Sequence, residues 1–249
     1  MGNKHSHFEG KSAFKHLKEA RMRGAKATAE NHGTEAPGAY AAAADAAKEA
    51  AFGTGLLWII LMWLSIKPAL VIISLFLVGY AIWKTCRSAL LGWARLERLH
   101  RLIEQERWEI EHHRGQEREE LIEMYKLKGF TGKLLDEAVE VTMADDNRLL
   151  MVMLEEELGL KLSSYDHPLR QAMGALIGTG IGYGLSMIGI LSGHTIGFFI
   201  AYFIIISVVS WFLAKLEGNL VINAIVWNLS TGFFALGILY FLTELIHGR

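Results

Sequence analysis

Carboxylate and imidazole side chains concentrate in one part of the sequence, between residues 104 and 157. Four of them, Glu109, His112, Glu120 and Glu123, follow the spacing i, i+3, i+11 and i+14. At about 3.6 residues per turn, an unbroken helix carries these positions close to one face. A helix face that presents several carboxylates and an imidazole can bind a divalent cation.

A second group of possible ligands follows about thirty residues later, in a run of methionines and glutamates that ends at Glu157. If the two segments pack against each other, they bring carboxylates, an imidazole and a thioether together. Carboxylate and imidazole suit Fe²⁺ or Mn²⁺, and a thioether favours Fe²⁺ over Mg²⁺ or Ca²⁺. The candidate metal ligands are Glu109, His112, Glu120, Glu123, Met153, Glu156 and Glu157.

The same segment admits a simpler interpretation, in which no metal is bound. Acids and bases alternate at helical spacing in Glu104, Arg107, Glu111, Arg114 and Arg118. Such a pattern is typical of a solvated helix face with salt bridges along it. Methionines in helices commonly fill cores. Spacing alone leaves both interpretations open.

Other chemistries have little support in the sequence. It shows no phosphate-binding loop, no dinucleotide fingerprint, no nucleophile paired with a base and no Cys/His zinc motif. The segment from Lys84 to Arg170 has 14 basic and 18 acidic residues, a balance that argues against nucleic-acid binding. We therefore expect neither an enzyme nor an organic cofactor.

The distribution of charge indicates what holds this segment in place. Of the 249 residues, 52% are hydrophobic, and the formal net charge is −1. Acids and bases crowd into the first fifty residues and the segment 84–170, whereas long runs elsewhere are nearly uncharged. A soluble domain spreads charge over its whole surface, so this segregation predicts an integral membrane protein.

Five apolar stretches are candidates for transmembrane helices: 50–66, 69–83, 171–191, 195–214 and 220–246. The first two are separated by Lys67-Pro68 and form a predicted hairpin. The third is rich in glycine, and small residues allow helices to approach closely in lipid. Glycine spacing does not distinguish packing within one chain from packing between two.

The polar segment between the second and third stretches reads as three helices without a strand. A long helix is predicted from about 88 to 128, a short one over 133–143, and a third from the capping run 145–147 to Gly159. The fold class is thus an all-α membrane protein with about five transmembrane helices. A three-helix cytosolic insert lies between the second and the third.

This organisation divides the chain into four regions: a polar, helical N-terminal extension (1–49), a transmembrane hairpin (50–87), the insert (88–168) and three transmembrane helices (169–249). Within the extension, 8–30 has the pattern of a basic amphipathic helix. Basic residues near the spans place the N-terminus and the insert in the cytosol, with the C-terminus on the other side of the membrane.

Two segments of the insert resemble the cytosolic metal-binding region of the vacuolar iron transporter (VIT/CCC1) family. They are 119–130, EELIEMYKLKGF, and 152–160, VMLEEELGL. Two membrane helices before the insert and three after it match the order in that family. The resemblance covers roughly residues 45–246 and is most specific in the insert.

The resemblance implies a homodimeric transporter that moves Fe²⁺, and often Mn²⁺, out of the cytosol against protons. It also implies that the insert gathers metal near the cytosolic mouth. The family's acidic positions fall on Glu109, Glu120 and Glu123, with His112 where an acid is usual, and its Met-Met-x-x-Glu motif falls on Met153, Leu154 and Glu157. Leu154 departs from the motif because it cannot be a ligand.

A larger departure lies in the first span. The family usually carries an Asp-Gly pair after Phe-Gly there, whereas residues 52–57 read FGTGLL and lack the Asp. A divalent ion in mid-membrane needs ligands that compensate its charge. This leaves a second hypothesis, a membrane-anchored metal sensor or sequestration protein that does not transport. A third hypothesis is an adaptor whose charged helices bind a partner and no metal.

Overall fold

The computed structural model describes residues 38–160 and 167–247. Every regular element in these two ranges is helical, which confirms the predicted all-α membrane class. The predicted amphipathic helix over 8–30 lies outside the described residues.

The helices are α1 Ala39–Trp63, α2 Ala69–His112, α3 Arg114–Leu127, α4 Gly132–Met143, α5 Asp146–Val152, a π-helical turn Met153–Glu157, α6 Pro168–Glu217 and α7 Val221–His247. Four of them, α1, α2, α6 and α7, are long and apolar enough to cross a membrane.

Helix α6 is a hairpin of two helical arms. Gly193 (φ −149°, ψ 20°) and His194 (φ 51°, ψ −129°) leave helical geometry in its middle. A Cβ built on Gly189 would lie 2.5 Å from the carbonyl oxygen of Gly197, although residues eight apart in a straight helix are separated by about 12 Å. The arms, 168–192 and 195–217, therefore fold back on each other. If its two arms are counted separately, the described ranges contain five helical segments of membrane-crossing length.

The described residues form two compact units. The insert unit comprises 93–160, and the membrane unit comprises 38–92 together with 167–247. Helix α2 contributes to both, with the division between Gly92 and Trp93.

In the membrane unit, α1 packs against the first arm of α6 through small residues. The contacts pair Gly174 with Ala39, Gly178 with Ala43 and Gly182 with Ala47. A Cβ at any of these glycines would overlap the carbonyl oxygen of its partner, so only glycine permits this approach. These glycines thus serve packing within one chain. Because α1 begins at Ala39, the last residues of the region assigned to the extension belong to this helix.

The insert unit has its own apolar core. Its buried members are Leu99, Ile110, Leu121, Met124, Leu135, Val139, Leu149, Leu150, Met153, Leu154, Leu158 and Leu160. As predicted, the Asp145 side chain caps α5 by accepting a hydrogen bond from the Arg148 backbone N–H at 2.8 Å. Gly129 (φ 92°) and Gly159 (φ 67°) follow the helices they were predicted to end.

The predicted continuous helix over 88–128 is wrong in one respect. It is interrupted at His113 (φ −128°, ψ 34°), where α2 ends and α3 begins. His112, His113 and the nearby Gly115 are all weak helix formers, which makes this the natural point of rupture. The interruption determines which carboxylates of the insert meet.

Candidate metal centre

Five glutamates of the insert unit are buried, although nothing in their residue type favours burial. Two lie in the last turns of α2, two in the first turns of α3, and one ends the π-helical turn. Their exposed fractions are 4% for Glu106, 4% for Glu109, 0% for Glu117, 2% for Glu120 and 1% for Glu157. Carboxylates are rarely buried to this extent unless they are paired or coordinate a metal.

Their ligand atoms converge in two overlapping groups. Carboxylate oxygens of Glu106, Glu109 and Glu117 lie within 4.8 Å of one another, and so do those of Glu117, Glu120 and Glu157. On a straight helix, Glu106 and Glu117 would be separated by about 16 Å along the axis. The interruption between α2 and α3 is therefore what brings the two pairs of glutamates together.

Side chains next to the interruption hold this geometry in place. Arg114, the first residue of α3, donates hydrogen bonds to Asp146 Oδ1 and to the Met143 carbonyl oxygen, each at 2.6 Å. These bonds tie the start of α3 to the connection between α4 and α5. On α2, Gln105 Nε2 donates to Glu109 Oε1 at 2.8 Å and orients that carboxylate.

The fifth carboxylate comes from a π-helical turn. In this turn, the Leu158 backbone N–H donates a hydrogen bond of 3.2 Å to the Met153 carbonyl oxygen, five residues earlier in the chain. Single π-helical turns often occur at functional sites. Met153 and Leu154 bury their side chains in the apolar core, while Glu157 joins the carboxylates. The packing of Met153 and Leu154 in the core thus positions the Glu157 carboxylate among the other carboxylates.

The electrostatics of the cluster favour any species that carries positive charge. Burial, and after it the neighbouring carboxylates of Glu106, Glu120 and Glu109, together raise the pKa of Glu117 to about 10. Neither oxygen of Glu117 forms a hydrogen bond with any residue that the structure describes. Without a cation, this carboxyl holds a proton at neutral pH.

The arrangement can hold two cations, since Glu117 belongs to both groups and a carboxylate has two oxygens with which to bridge. Each position would offer three carboxylates. An all-oxygen ligand set suits hard or borderline divalent ions, such as Mn²⁺ and Fe²⁺, better than soft ones. Carboxylate pairs contributed by facing helices are also the way helical proteins build paired metal sites.

Of the residues predicted as ligands, the structure brings three into the cluster: Glu109, Glu120 and Glu157. Met153 is fully buried in the apolar core, four residues before Glu157. It shares the π-helical turn with Glu157, but its side chain packs in the apolar core and not among the carboxylates.

The other three predicted ligands belong to neither group. His112 is exposed; it stacks on the Trp108 ring at 4.5 Å, and its Nδ1 lies 2.9 Å from the Trp108 carbonyl oxygen. Glu123 forms a salt bridge of 2.9 Å with Lys126, and Glu156 forms one with Lys128. All three lie on solvent-facing parts of their helices.

Sequence reasoning missed Glu106 and Glu117. On an unbroken helix, Glu106 and Glu117 would lie about 60° and 80° from Glu109 around the axis, on the side opposite to His112 and Glu123. A different signal was present: two Glu-x-x-Glu pairs, 106/109 and 117/120, with the weak helix formers at 112–115 between them. A break between two such pairs lets the second fold back onto the first.

Comparison with known proteins identifies the family of this chain. No curated protein and no solved structure matches the chain. The family model described as the VIT family matches residues 93–244, which is more than half of the chain and includes all five buried glutamates. The match supports the resemblance drawn from the insert. The chain belongs to the VIT family, a family of membrane proteins that transport metal ions.

Proposed function

We propose that this protein moves Fe²⁺, Mn²⁺ or both out of the cytosol, and that its insert binds the ion as substrate. Family membership gives the general class, which is membrane transport of metal ions. The observation that supports the finer statement is the cluster of five buried glutamates, Glu106, Glu109, Glu117, Glu120 and Glu157.

The physical argument rests on charge. Buried carboxylates repel one another and are poorly solvated, so each further ionised carboxylate in the cluster raises the free energy of the folded state. A divalent ion removes two units of that repulsion and receives oxygen ligands in place of its water. A structural role alone would not require five carboxylates, because apolar residues of similar size would pack the same volume at lower cost.

The expected metal follows from the ligand set. Several carboxylate ligands suit Fe²⁺ and Mn²⁺, the two ions that the family resemblance implies. Both are cargo in this proposal, and no organic cofactor is part of it.

The proposed orientation in the membrane and the proposed homodimer rest on the sequence. The excess of basic residues near the spans places the N-terminus and the insert in the cytosol of a multi-pass membrane protein. The resemblance implies a homodimer. Apart from the lipid bilayer and divalent metal ions, no partner is proposed, and the acidic balance of the insert argues against nucleic acid.

Flux through the full-length chain in proteoliposomes tests the proposal. Uptake of Mn²⁺ and, under reducing conditions, of Fe²⁺ is compared between the wild type and a Glu109→Gln, Glu120→Gln variant. The matched control is Glu123→Gln, Glu156→Gln, which removes the same charge from two glutamates outside the cluster. We expect saturable flux in the wild type and the control, and a loss of most flux in the cluster variant.

Two outcomes would contradict the proposal. Equal flux in the cluster variant and the wild type would remove the insert from the transport path. Absence of flux in a well-folded wild type that still binds Mn²⁺ would favour the sensor or sequestration hypothesis, which is motivated by the missing Asp in residues 52–57.

A further inference from the structure

The membrane unit contains an open cavity whose largely apolar wall carries several polar side chains. It lies between α1, the second arm of α6, and α7, and its volume is about 350 Å³. Polar residues on its wall include Asp45 and Glu49 from α1 and Asn228 and Thr231 from α7. Asp45 and Glu49 are one helical turn apart, at roughly 9 and 15 Å from the start of α1.

Tyr202, from the second arm of α6, adds an observation that points to a ligand in this cavity. It is only 1% exposed and lines the cavity with Gly232, whose missing Cβ makes room for the tyrosine hydroxyl. None of the hydrogen bonds formed within the described ranges involves that hydroxyl. A tyrosine hydroxyl on the wall of a cavity usually has a partner, so a bound species or its water is the expected one.

The charges at the cavity are balanced by lysines of the protein itself. Lys48 Nζ lies 2.8 Å from Asp45 Oδ1. Lys84 of α2, only 1% exposed, places its Nζ 2.8 Å from Glu49 Oε2, while the Glu49 side chain is 41% exposed. The Tyr80 hydroxyl donates to the same Glu49 oxygen. Glu49 thus faces the cavity on one side and a buried ammonium on the other.

A buried lysine in a membrane helix is costly and persists only where a counter-charge compensates it. Here the compensating carboxylate is also the group that a cation entering the cavity would meet. A divalent ion and the Lys84 ammonium cannot both neutralise a single carboxylate fully. The two therefore compete for Glu49.

We infer that Lys84 is a tethered counter-cation that competes with a hydrated divalent ion for a site formed by Asp45, Glu49, Tyr202 and Asn228. This inference rests on the proposed function and assigns to the membrane unit a cation site that does not use the Asp missing from residues 52–57. Lys84 keeps the affinity of that site low, so that an ion leaves it readily. Tight binding would impede passage, because an ion that moves through must also be released.

The test measures Mn²⁺ bound by the full-length chain in detergent at equilibrium. All samples carry Glu106→Gln, Glu117→Gln and Glu120→Gln, which silence the insert. In that background, Lys84→Met is compared with Lys84→Arg, which retains the charge, and with Glu49→Gln, Lys84→Met, which removes both charges. A tethered competitor acts at high effective concentration, so we expect Lys84→Met to raise the affinity about tenfold or more.

Neither Lys84→Arg nor the doubly neutral variant should show that gain. The inference is overturned if Lys84→Met binds Mn²⁺ no more tightly than its parent, or if the doubly neutral variant gains equally. Should Lys84→Met not yield folded protein, Lys84→Gln replaces it with the same expectation, since the amide still donates a hydrogen bond to Glu49 without carrying charge.

Failure of this inference and failure of the proposed function give different results. The binding measurement requires no flux and no insert site. If Lys84→Met gains nothing while flux still depends on Glu109 and Glu120, only the assignment of Lys84 is wrong. If flux is indifferent to the insert variants, the proposed function is wrong whatever the cavity binds.

Discussion

Glu117 offers the sharpest test of the buried cluster, because it belongs to both groups of carboxylates. Its pKa of about 10 means that it is protonated at pH 6 to 8 when no metal is present. An ion that uses its carboxylate must displace that proton. One proton released per binding event makes the affinity rise about tenfold per pH unit, or about 100-fold from pH 6 to pH 8.

The replacement Glu117→Gln keeps the shape of the side chain and removes the titrating group. We expect this variant to bind Mn²⁺ more weakly and to release about one proton fewer per event than the wild type. Calorimetric titration of the full-length chain in two buffers of different ionisation enthalpy counts those protons directly. The matched control is Glu123→Gln, whose glutamate pairs with Lys126 outside the cluster.

The control should retain both the affinity and the proton count of the wild type. Two results would refute the reasoning about Glu117. One is a wild-type affinity that does not change between pH 6 and pH 8. The other is a proton count that Glu117→Gln leaves unchanged.

Three further predictions concern stability and positioning. The pKa of Glu117 is raised from 4.5 to about 10, so between these two pH values the folded protein binds a proton that the unfolded chain lacks. The metal-free protein should therefore lose stability as the pH rises. Its Tm should be lower at pH 9 than at pH 6, and this difference should be smaller in Glu117→Gln. Gly178→Ala should destabilise the membrane unit by about 1–3 kcal/mol in thermal unfolding, because its Cβ would overlap the Ala43 carbonyl oxygen, whereas Gly180→Ala, with nothing within 4 Å, should be tolerated. Arg114→Ala should lower the free energy of unfolding by at most about 1 kcal/mol. It should nevertheless weaken Mn²⁺ binding, because it removes the hydrogen bonds that hold the start of α3. Equal Mn²⁺ affinities for the wild type and the variant would argue against that positioning role.

Hydrophobic patterning was sufficient to predict the membrane fold. The predicted hairpin break at Ser192 to His194 is where α6 reverses, and the glycines of its first arm contact α1 as small residues in lipid are expected to. The caps and turns at Asp145, Gly129 and Gly159 were readable because each has a local chemical cause.

The composition of the metal cluster was only partly predictable. Helical periodicity selects residues that share a face on an unbroken helix, and it therefore favoured Glu123 and His112. Which carboxylates meet depends on the interruption at His113, a backbone feature that periodicity does not contain. Glu106 and Glu117 are buried because the chain changes direction at His113 and packs against the apolar core of the insert unit. Both causes are tertiary features.

The charged wall of the membrane cavity was missed for a related reason. The region 1–49 was assigned to a polar N-terminal extension, whereas Ala39 to Glu49 belong to α1, which packs along α6 from its first turn. That packing carries Asp45 and Glu49 into the membrane unit and explains how a span without the family's Asp still presents carboxylates.

The central claim is that the buried glutamates bind the ion. Anomalous diffraction from crystals of the full-length protein grown with Mn²⁺ tests it most directly. The account predicts a peak, or two, within about 2.0–2.6 Å of carboxylate oxygens, with Glu117 a ligand. Strong peaks at Glu123 or Glu156, with none at Glu117, would contradict it.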